Sequence, residues 1–378
     1  MRILISDNLS NRGLDALRAH TQVNVDYRPG LNEEQLAEAI KGADGLIIRS
    51  GSQVTARVFA AADQLRVVGR AGIGVDNIDI NAASKRGIAV MNTPTGNAVT
   101  TAEHTIGMMM SLARWIPRAT MSLKAGKWEK KKLQGRELAT KTLAVIGLGT
   151  IGRIVADRAK GLHMRTIGFD PVLTAERAAA LGVELLPLEE IWQQADVITV
   201  HTPLNDKTRN LINTEVISKL KTGVLLINCA RGGIYHEEAV LKGLEDGRIG
   251  GAAFDVFTTE PPGDMPLLQH ERVVCTPHLG ASTREAQERV AVEIAEQVVA
   301  YLSSGTVVNA LNVPSMSPEQ VQQVGPYVTL ATCLGRFLAQ AEKIVPKTIE
   351  IECMGEALAR GVDSIASAAL AGFLAQFL

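Results

Sequence analysis

No charge of one sign dominates this sequence: 39 Lys and Arg stand against 40 Asp and Glu, for a net charge of −1. That balance argues against a nucleic-acid partner or an anionic membrane surface, each of which calls for a basic excess. No apolar run reaches the roughly 18 residues that a membrane span requires. The chain opens on MRILISDN, which reads as a strand and not as a signal peptide. Cysteine is scarce. Cys229, Cys275, Cys333 and Cys353 show no C-x-x-C spacing, so free thiols and a cytoplasmic setting are expected. No metal site is expected, and there is no internal repeat or low-complexity tract. What is present suffices for two or three domains: 378 residues, 46% of them hydrophobic, at about 150 residues per domain.

The chain is organised around Thr142–Pro171. Leu143–Ile146 is an apolar run that reads as a buried parallel strand. Gly147-Leu148-Gly149-Thr150-Ile151-Gly152 follows, a G-x-G-x-x-G, then an amphipathic helix over about Ile151–Lys160 and a second apolar strand that ends at Asp170. This spacing predicts a dinucleotide-binding βαβ unit. Gly147 permits the tight turn, Gly149 lets the backbone approach a pyrophosphate, and Gly152 lets helix and strand pack closely. The helix amino terminus offers unpaired N–H groups and a positive dipole end. Asp170, roughly 20 residues on, is placed to accept bonds from ribose hydroxyls; its charge favours NAD over NADP.

On either side the α/β rhythm continues. Strands are expected at Ile3–Ser6, Val23–Asp26, Gly45–Ile48, Arg66–Gly69 and Ala89–Met91, with helical patterns between them, which predicts a small doubly wound parallel sheet. Thr100 and Glu103 look like a capping box opening a helix to about Arg114, with Met108, Met109 and Met110 as core filler. Pro117 should break or kink that helix. Residues 124–136 carry six cations and one anion; they read as a solvated arm, an anion site or a subunit contact, with Lys130 the candidate to reach a neighbouring subunit. Further strands are expected at Asp196–His201, Val224–Asn228, Ala252–Val256 and Val273–Thr276, and a long helix from Thr283. Beyond the Asn312-Val313-Pro314 linker come helices at Pro318–Gln340 and from Ser364 to the end, with a strand at Thr348–Glu352. The whole is an α/β chain of two doubly wound parallel-sheet domains with a partial C-terminal α/β segment.

In an open parallel sheet, ligands bind beyond the carboxyl ends of the strands. Arg231, Glu260 and His278 all fall there. A guanidinium clamps a carboxylate with two hydrogen bonds. A histidine takes a hydroxyl proton as hydride leaves the same carbon, and a carboxylate fixes that histidine's tautomer. Together they describe oxidation of a 2-hydroxy acid. On pattern alone Arg231 could equally be a structural anion clamp and Glu260 a turn residue, while His201, within a strand, reads as a satisfied core residue.

The glycine turn, NCARGG at 228–233, DVFTTEPP at 255–262 and TPHLGAST at 276–283 together resemble the D-isomer-specific 2-hydroxyacid dehydrogenases over about residues 1–312. Within that family, RSGSQVT at 49–55, GRAGIGVDNID at 69–79, MNTPTGN at 91–97 and GKWEKKK at 126–132 are most similar to the members that act on 3-phosphoglycerate. The resemblance implies catalytic roles for Arg231, Glu260 and His278. It implies cofactor contacts at Thr150, Ile151, Thr202, Pro203, Cys229, Ala230, Asp255 and Gly280, besides the glycines and Asp170. It implies substrate contacts at Arg49, Arg70, Gly72, Ile73 and Asn97. It also implies a discontinuous flavodoxin-like substrate domain, 1–97 with 284–312, an inserted Rossmann NAD domain at 98–283, and at 313–378 the start of an intervening domain, read as incomplete; with no catalytic motif in it, that last piece is expected to be dispensable for chemistry. A homodimer or homotetramer is expected. Rival readings are another member of the family, or a nucleotide-sensing, corepressor-like binding protein. Ile234-Tyr235-His236-Glu237 departs from the family's Val-Asp-Glu pattern, which is expected to alter a helix cap or the local surface.

Overall fold

The computed structural model describes residues 1–313, 318–341, 348–355 and 362–375. It divides into two compact units, residues 1–96 with 287–378, and residues 97–286.

In the first unit, β1 (Arg2–Ile5), α1 (Asn11–Arg18), β2 (Asn24–Tyr27), α2 (Glu33–Ala39), β3 (Gly45–Ile48), α3 (Ala56–Ala61), β4 (Val67–Arg70), α4 (Ile80–Lys85) and β5 (Ala89–Asn92) alternate. The strands form one parallel sheet in the order β2-β1-β3-β4-β5. β3 is GLII and β5 is AVMN, buried at every position, because helices cover both faces of the sheet. Leu36, Ile40, Val58 and Phe59 pack on one face. Leu14, Leu17, Ile294 and Val298 pack on the other. Each such buried aliphatic side chain stabilises the unit by about 1.5–3 kcal/mol.

In the second unit, α5 (Ala98–Ala113) and α6 (Ile116–Lys124) lead into β6 (Thr142–Ile146), α7 (Thr150–Gly161), β7 (Arg165–Phe169), α8 (Ala175–Ala180), β8 (Glu184–Leu185), α9 (Leu188–Gln194), β9 (Val197–Val200), α10 (Thr214–Lys219), β10 (Val224–Asn228), α11 (Glu237–Glu245), β11 (Ile249–Phe254), α12 (Pro266–Gln269) and β12 (Val273–Cys275). All pair in parallel, in the order β12-β11-β10-β9-β6-β7-β8. The chain winds outward from β6 in one direction and from β9 in the other. The switch point between β6 and β9 is where such a sheet opens a crevice at its carboxyl edge.

Two local expectations are corrected and one is borne out. α5 starts at Ala98 behind Asn97, whose side chain makes no cap bond, so Thr100 and Glu103 lie within the helix and no capping box forms. Thr100 and Thr101 are buried, and the Thr100 hydroxyl faces Thr283 Oγ1 at 3.3 Å; packing moved the helix start forward. The break expected at Pro117 is present: α5 ends at Ala113 and α6 begins at Ile116, with Pro117 in its first turn, where the missing N–H costs nothing. Thr348–Glu352 pairs with no strand among the described residues. The C-terminal part consists of α13 (Arg284–Ser304), running into the first unit, and α14 (Pro318–Ala341) and α15 (Val362–Leu374). Val324, Ala331 and Ile365 form a small core between the last two. Pro314, the end of the expected linker, and residues 376–378 lie outside the described residues.

Candidate active site

The glycine turn follows β6 at the switch point. Gly147 has φ +92°. A Cβ there would stand 2.5 Å from the His201 carbonyl oxygen and 2.8 Å from Thr202 Cγ2, at the end of β9. A Cβ on Gly152 would overlap the Gly147 carbonyl. Both glycines are therefore demanded by the protein's own packing. Gly149 is different: its φ is −70°, and a Cβ there would meet nothing within 4 Å. The open space lies before the amino terminus of α7, where Gly149 is the N-cap and no side chain caps the helix. Thr150 is exposed and Ile151 half-buried beside it. Such a space, facing unpaired N–H groups, fits a pyrophosphate.

Asp170 follows β7. Its Oδ2 accepts from Leu148 N at 2.8 Å, and its Oδ1 accepts from Val172 N and Leu173 N at 2.9 and 3.1 Å. The carboxylate thus also buttresses the glycine turn. At the end of β9, His201 lies just past the strand. Its Nε2 faces Thr199 Oγ1 at 3.0 Å, whereas its buried Nδ1 and the Thr202 hydroxyl have no hydrogen-bond partner. The histidine is thus only half satisfied, and burial pushes its pKa down to about 4. Pro203 is exposed. Both orphaned atoms belong to residues at the end of β9, next to the glycine turn, and buried polar atoms ordinarily find a partner.

The trio is built on the next three strand ends. His278 Nδ1 lies 2.7 Å from Glu260 Oε2, and Glu260 Oε1 accepts from Phe257 N at 3.0 Å. With the carboxylate receiving Nδ1–H, Nε2 is left as the acceptor. Arg231 follows β10. Asn228 Oδ1 accepts from Ala230 N at 3.1 Å, and Asn228 Nδ2 donates to Arg231 O at 2.8 Å. Gly232 lies so close to the Phe257–Thr258 backbone that a Cβ would overlap it, which brings the arginine turn against the Glu260 loop. The half-buried guanidinium donates to Ala230 O at 2.6 Å. A cavity of about 470 Å³, lined by Phe257, Glu260, Pro261, Leu268, Pro277 and His278, opens beside the pair. A concavity of about 520 Å³ at the opposite edge of the sheet, lined by Arg136, Lys141, Asp196 and Lys221, holds none of these residues.

Asp255 organises the loop that carries His278. It is fully buried. Its Oδ1 accepts from Thr276 Oγ1 at 2.6 Å and Leu279 N at 2.7 Å, and its Oδ2 accepts from Gly280 N at 2.8 Å. His104 Nε2 lies 3.2 Å from Oδ1. Burial alone would raise this carboxyl; the bonds from His104, Thr276 and Leu279 outweigh it and hold the pKa below the ordinary value. The His278 backbone donates to Asp255 O at 2.9 Å. These bonds offset the strain of His278 at φ +55°, a conformation that costs a non-glycine residue about 1–2 kcal/mol. Cys229 is buried, and burial pushes its thiol up to about 12, which keeps it in the neutral thiol form.

The remaining candidates lie elsewhere. Arg49, Arg70, Gly72 and Ile73 are in the first unit, after β3 and at the end of β4. Asn97 opens the second unit; it is buried and its Oδ1 has no partner. Lys130 begins an exposed 3₁₀ turn, Lys130–Lys132. Tyr235 and His236 explain the departure after Arg231: the Tyr235 hydroxyl is buried and donates toward Ile227 O at 2.9 Å, its ring meets Phe254 edge-on, and His236 caps α11 through Ala239 N. Sequence reasoning did not single out Asn228, or His104 as a partner of Asp255. Their polarity at strand and helix ends was visible, but their partners were not.

Residues 106–280 match the model of the D-isomer specific 2-hydroxyacid dehydrogenase NAD binding domain, and residues 323–378 match that of the D-3-phosphoglycerate dehydrogenase intervening domain. The D-3-phosphoglycerate dehydrogenase of Homo sapiens is 45% identical over 99% of this chain and 70% of its own length. The chain belongs to the D-3-phosphoglycerate dehydrogenase family of D-isomer-specific 2-hydroxyacid dehydrogenases. The D-3-phosphoglycerate dehydrogenase of Bacillus subtilis is 43% identical over the same shares of both chains. A solved D-lactate dehydrogenase from Aquifex aeolicus, complexed with NAD and lactic acid, superposes with a TM-score of 0.72 at 25% identity, covering 83% of this chain and all of its own. The residues that match the NAD binding domain, 106–280, fall within the second unit. Replacing Asp170 by Ala is expected to weaken NAD and to narrow its advantage over NADP, as read from KM for both cofactors. Because Asp170 also holds Leu148 N, NADP should gain little in absolute terms. An unchanged preference would show that Asp170 is not the selector.

Proposed function

We propose that this dehydrogenase oxidises D-3-phosphoglycerate to 3-phosphohydroxypyruvate with NAD, the opening step of serine synthesis. The observation that carries the chemistry is the 2.7 Å contact between His278 Nδ1 and Glu260 Oε2, on the same sheet edge as the glycine turn. Arg231 clamps the substrate carboxylate with two parallel bonds. His278 Nε2 takes the proton of the 2-hydroxyl, and Glu260 stabilises the imidazolium that results. Bound NAD supplies the hydride acceptor. In the turn shaped by Gly147 and Gly152, Gly149, Thr150 and Ile151 would hold its pyrophosphate, Asp170 would hold its ribose, and Thr202, Pro203, Cys229, Ala230, Asp255 and Gly280 would line the rest. Gly72, Ile73 and Asn97 offer backbone and amide contacts to the substrate, Arg70 a second cation. Arg49 binds the phosphate.

A panel of 3-phosphoglycerate, glycerate, lactate and glycolate, each with NAD and NADP, tests the reading. The phosphorylated acid with NAD should give the highest kcat/KM. A preference for an unphosphorylated acid would move the chain to another branch of the family, and no turnover at all would favour a sensor. Arg49→Ala should raise KM for 3-phosphoglycerate about tenfold or more, the worth of one charge-assisted bidentate contact, and barely affect glycerate.

The protein is read as a homodimer or homotetramer. Met121, Leu123 and Trp128 are 72, 60 and 82% exposed on or just after α6, which buries none of its side chains, and a second copy would cover them. The Lys130 turn would then approach the neighbouring subunit's substrate. Mixing Arg231→Ala with Lys130→Ala subunits should partly restore activity if that site is shared. The four cysteines, none in a disulfide, support a cytoplasmic location. No helix among the described residues is long and apolar enough to cross a membrane.

A further inference from the structure

Three adjacent strands of the first unit, β1, β3 and β4, end side by side, and the turns that follow them are tied together by two buried or half-buried side chains. Asp7, after β1, is 8% exposed. Its Oδ2 accepts from Arg49 N at 2.6 Å and from Ser52 N at 3.1 Å. Asn77, in the loop after β4, donates from Nδ2 to Arg49 O at 2.8 Å and to Ser52 O at 2.6 Å. Both ends of the turn Arg49-Ser50-Gly51-Ser52 are thus held, its N–H groups by one side chain and its carbonyls by the other. The Ser52 hydroxyl is buried 2.7 Å from that of Ser6, and Arg49 Nη1 donates to Asn8 O at 3.1 Å.

The loop that supplies Asn77 has its own anchors. Asn92 Nδ2 donates to Ile73 O at 2.7 Å, and Thr93 N donates to Gly72 O at 3.2 Å. Gly72 and Ile73 therefore stay in place whether or not Asn77 is bonded. Backbone bonds flank the Arg49 turn and tie it to the same loop: Ala71 N donates to Ile48 O at 2.9 Å before it, and Val54 N to Asn77 O at 2.8 Å and Asp79 N to Val54 O at 2.9 Å after it. Within the turn itself, the Asn77 amide joins the loop to the Arg49 and Ser52 carbonyls.

We propose that Asn77, backed by Asp7, is a positioning residue that holds Arg49 at a set spacing from the Gly72–Ile73 loop and so selects a short acid bearing a phosphate at its far end. This rests on the reading of Arg49 as the phosphate ligand. A side chain that places a charged donor through two carbonyl bonds acts on the bound phosphate and not on the proton or hydride step, so its signature is in KM.

The test is a double-mutant cycle of Arg49→Ala and Asn77→Ala, with KM and kcat measured on 3-phosphoglycerate and on glycerate, alongside NADH binding and thermal unfolding. Asn77→Ala should raise KM for 3-phosphoglycerate about tenfold, the cost of losing two hydrogen bonds that orient a charge. Its kcat, its KM for glycerate and NADH binding should stay within about twofold of the parent, and in the Arg49→Ala background Asn77→Ala should add less than about twofold. An equal rise on both substrates, no rise at all, or a full additional effect in the Arg49→Ala background overturns the positioning role. Equal losses on both substrates in Arg49→Ala alone sink the phosphate assignment instead. If Asn77→Ala does not fold, Asp7→Asn tests the other side of the turn. It should raise KM for 3-phosphoglycerate selectively and by less, and an unselective change there also overturns the proposal.

Discussion

His278→Ala is expected to lower kcat by roughly 10²–10⁴-fold, the usual contribution of a positioned acid–base group, with NADH binding near that of the parent. The glycine turn owes nothing to the His278 side chain, whose described partner is Glu260 at 2.7 Å. The loop itself should survive the substitution, because Asp255 holds it through the backbone of residues 278–280 and not through the imidazole. Alanine does inherit the positive φ of that position, so a modest fall in Tm is expected, and NADH titration separates it from the catalytic defect. Turnover unchanged at neutral pH would remove His278 from the mechanism. Glu260→Gln should act differently. The amide oxygen can still accept from Phe257 N and keep the loop, but the charge beside the imidazole is gone. The pH profile of kcat/KM should therefore shift, with a smaller loss at its optimum than in His278→Ala.

The second large effect separates two glycines of one turn. Gly149→Ala is expected to leave Tm near that of the parent and to weaken NAD about tenfold or more, because the methyl enters open space where the pyrophosphate must approach. Gly152→Ala is expected to destabilise the unit itself by about 1–3 kcal/mol, an overpacking cost, since its methyl overlaps the Gly147 carbonyl. For a domain of this size that is about 2–4 °C in Tm per kcal/mol. Thermal unfolding with and without NAD distinguishes them: Gly149→Ala should lose the shift that NAD confers, while Gly152→Ala should start lower. If Gly149→Ala binds NAD as tightly as the parent, the pyrophosphate does not lie against that residue.

The parallel sheets were legible because their strands are nearly all apolar. GLII at 45–48 and TLAVI at 142–146 are buried on both faces, and only strands covered twice by helices carry such runs. The glycine turn was legible because its three glycines stand at a fixed spacing between an apolar strand and an amphipathic helix, although what each one faces is set by β9, the Gly147 carbonyl and open space. Helix starts were less so. Thr100 and Glu103 have the residue types of a capping box, yet α5 begins at Ala98, because burial of Thr100 and Thr101 outweighed what a local cap contributes. The strand read at Thr348–Glu352 failed similarly: its alternation is real, but a strand needs a partner, and none of the described strands pairs with it.

Residue types at strand ends were determined by the sequence alone, because apolar runs and the turns that stop them are local. Arg231, Glu260 and His278 each follow such a run, and that was enough to put them forward as candidates. Which of those ends meet is decided by the order of strands in the sheet, and that order is a property of the tertiary structure. Glu260 meets His278 because the segments after β11 and β12 lie side by side. Asp7 and Asn77, far apart in the chain, close on Arg49 because β1, β3 and β4 are neighbours. A hydrogen bond acts over about 3 Å, so a side chain's role is set by what the fold brings within that reach and not by its place in the chain.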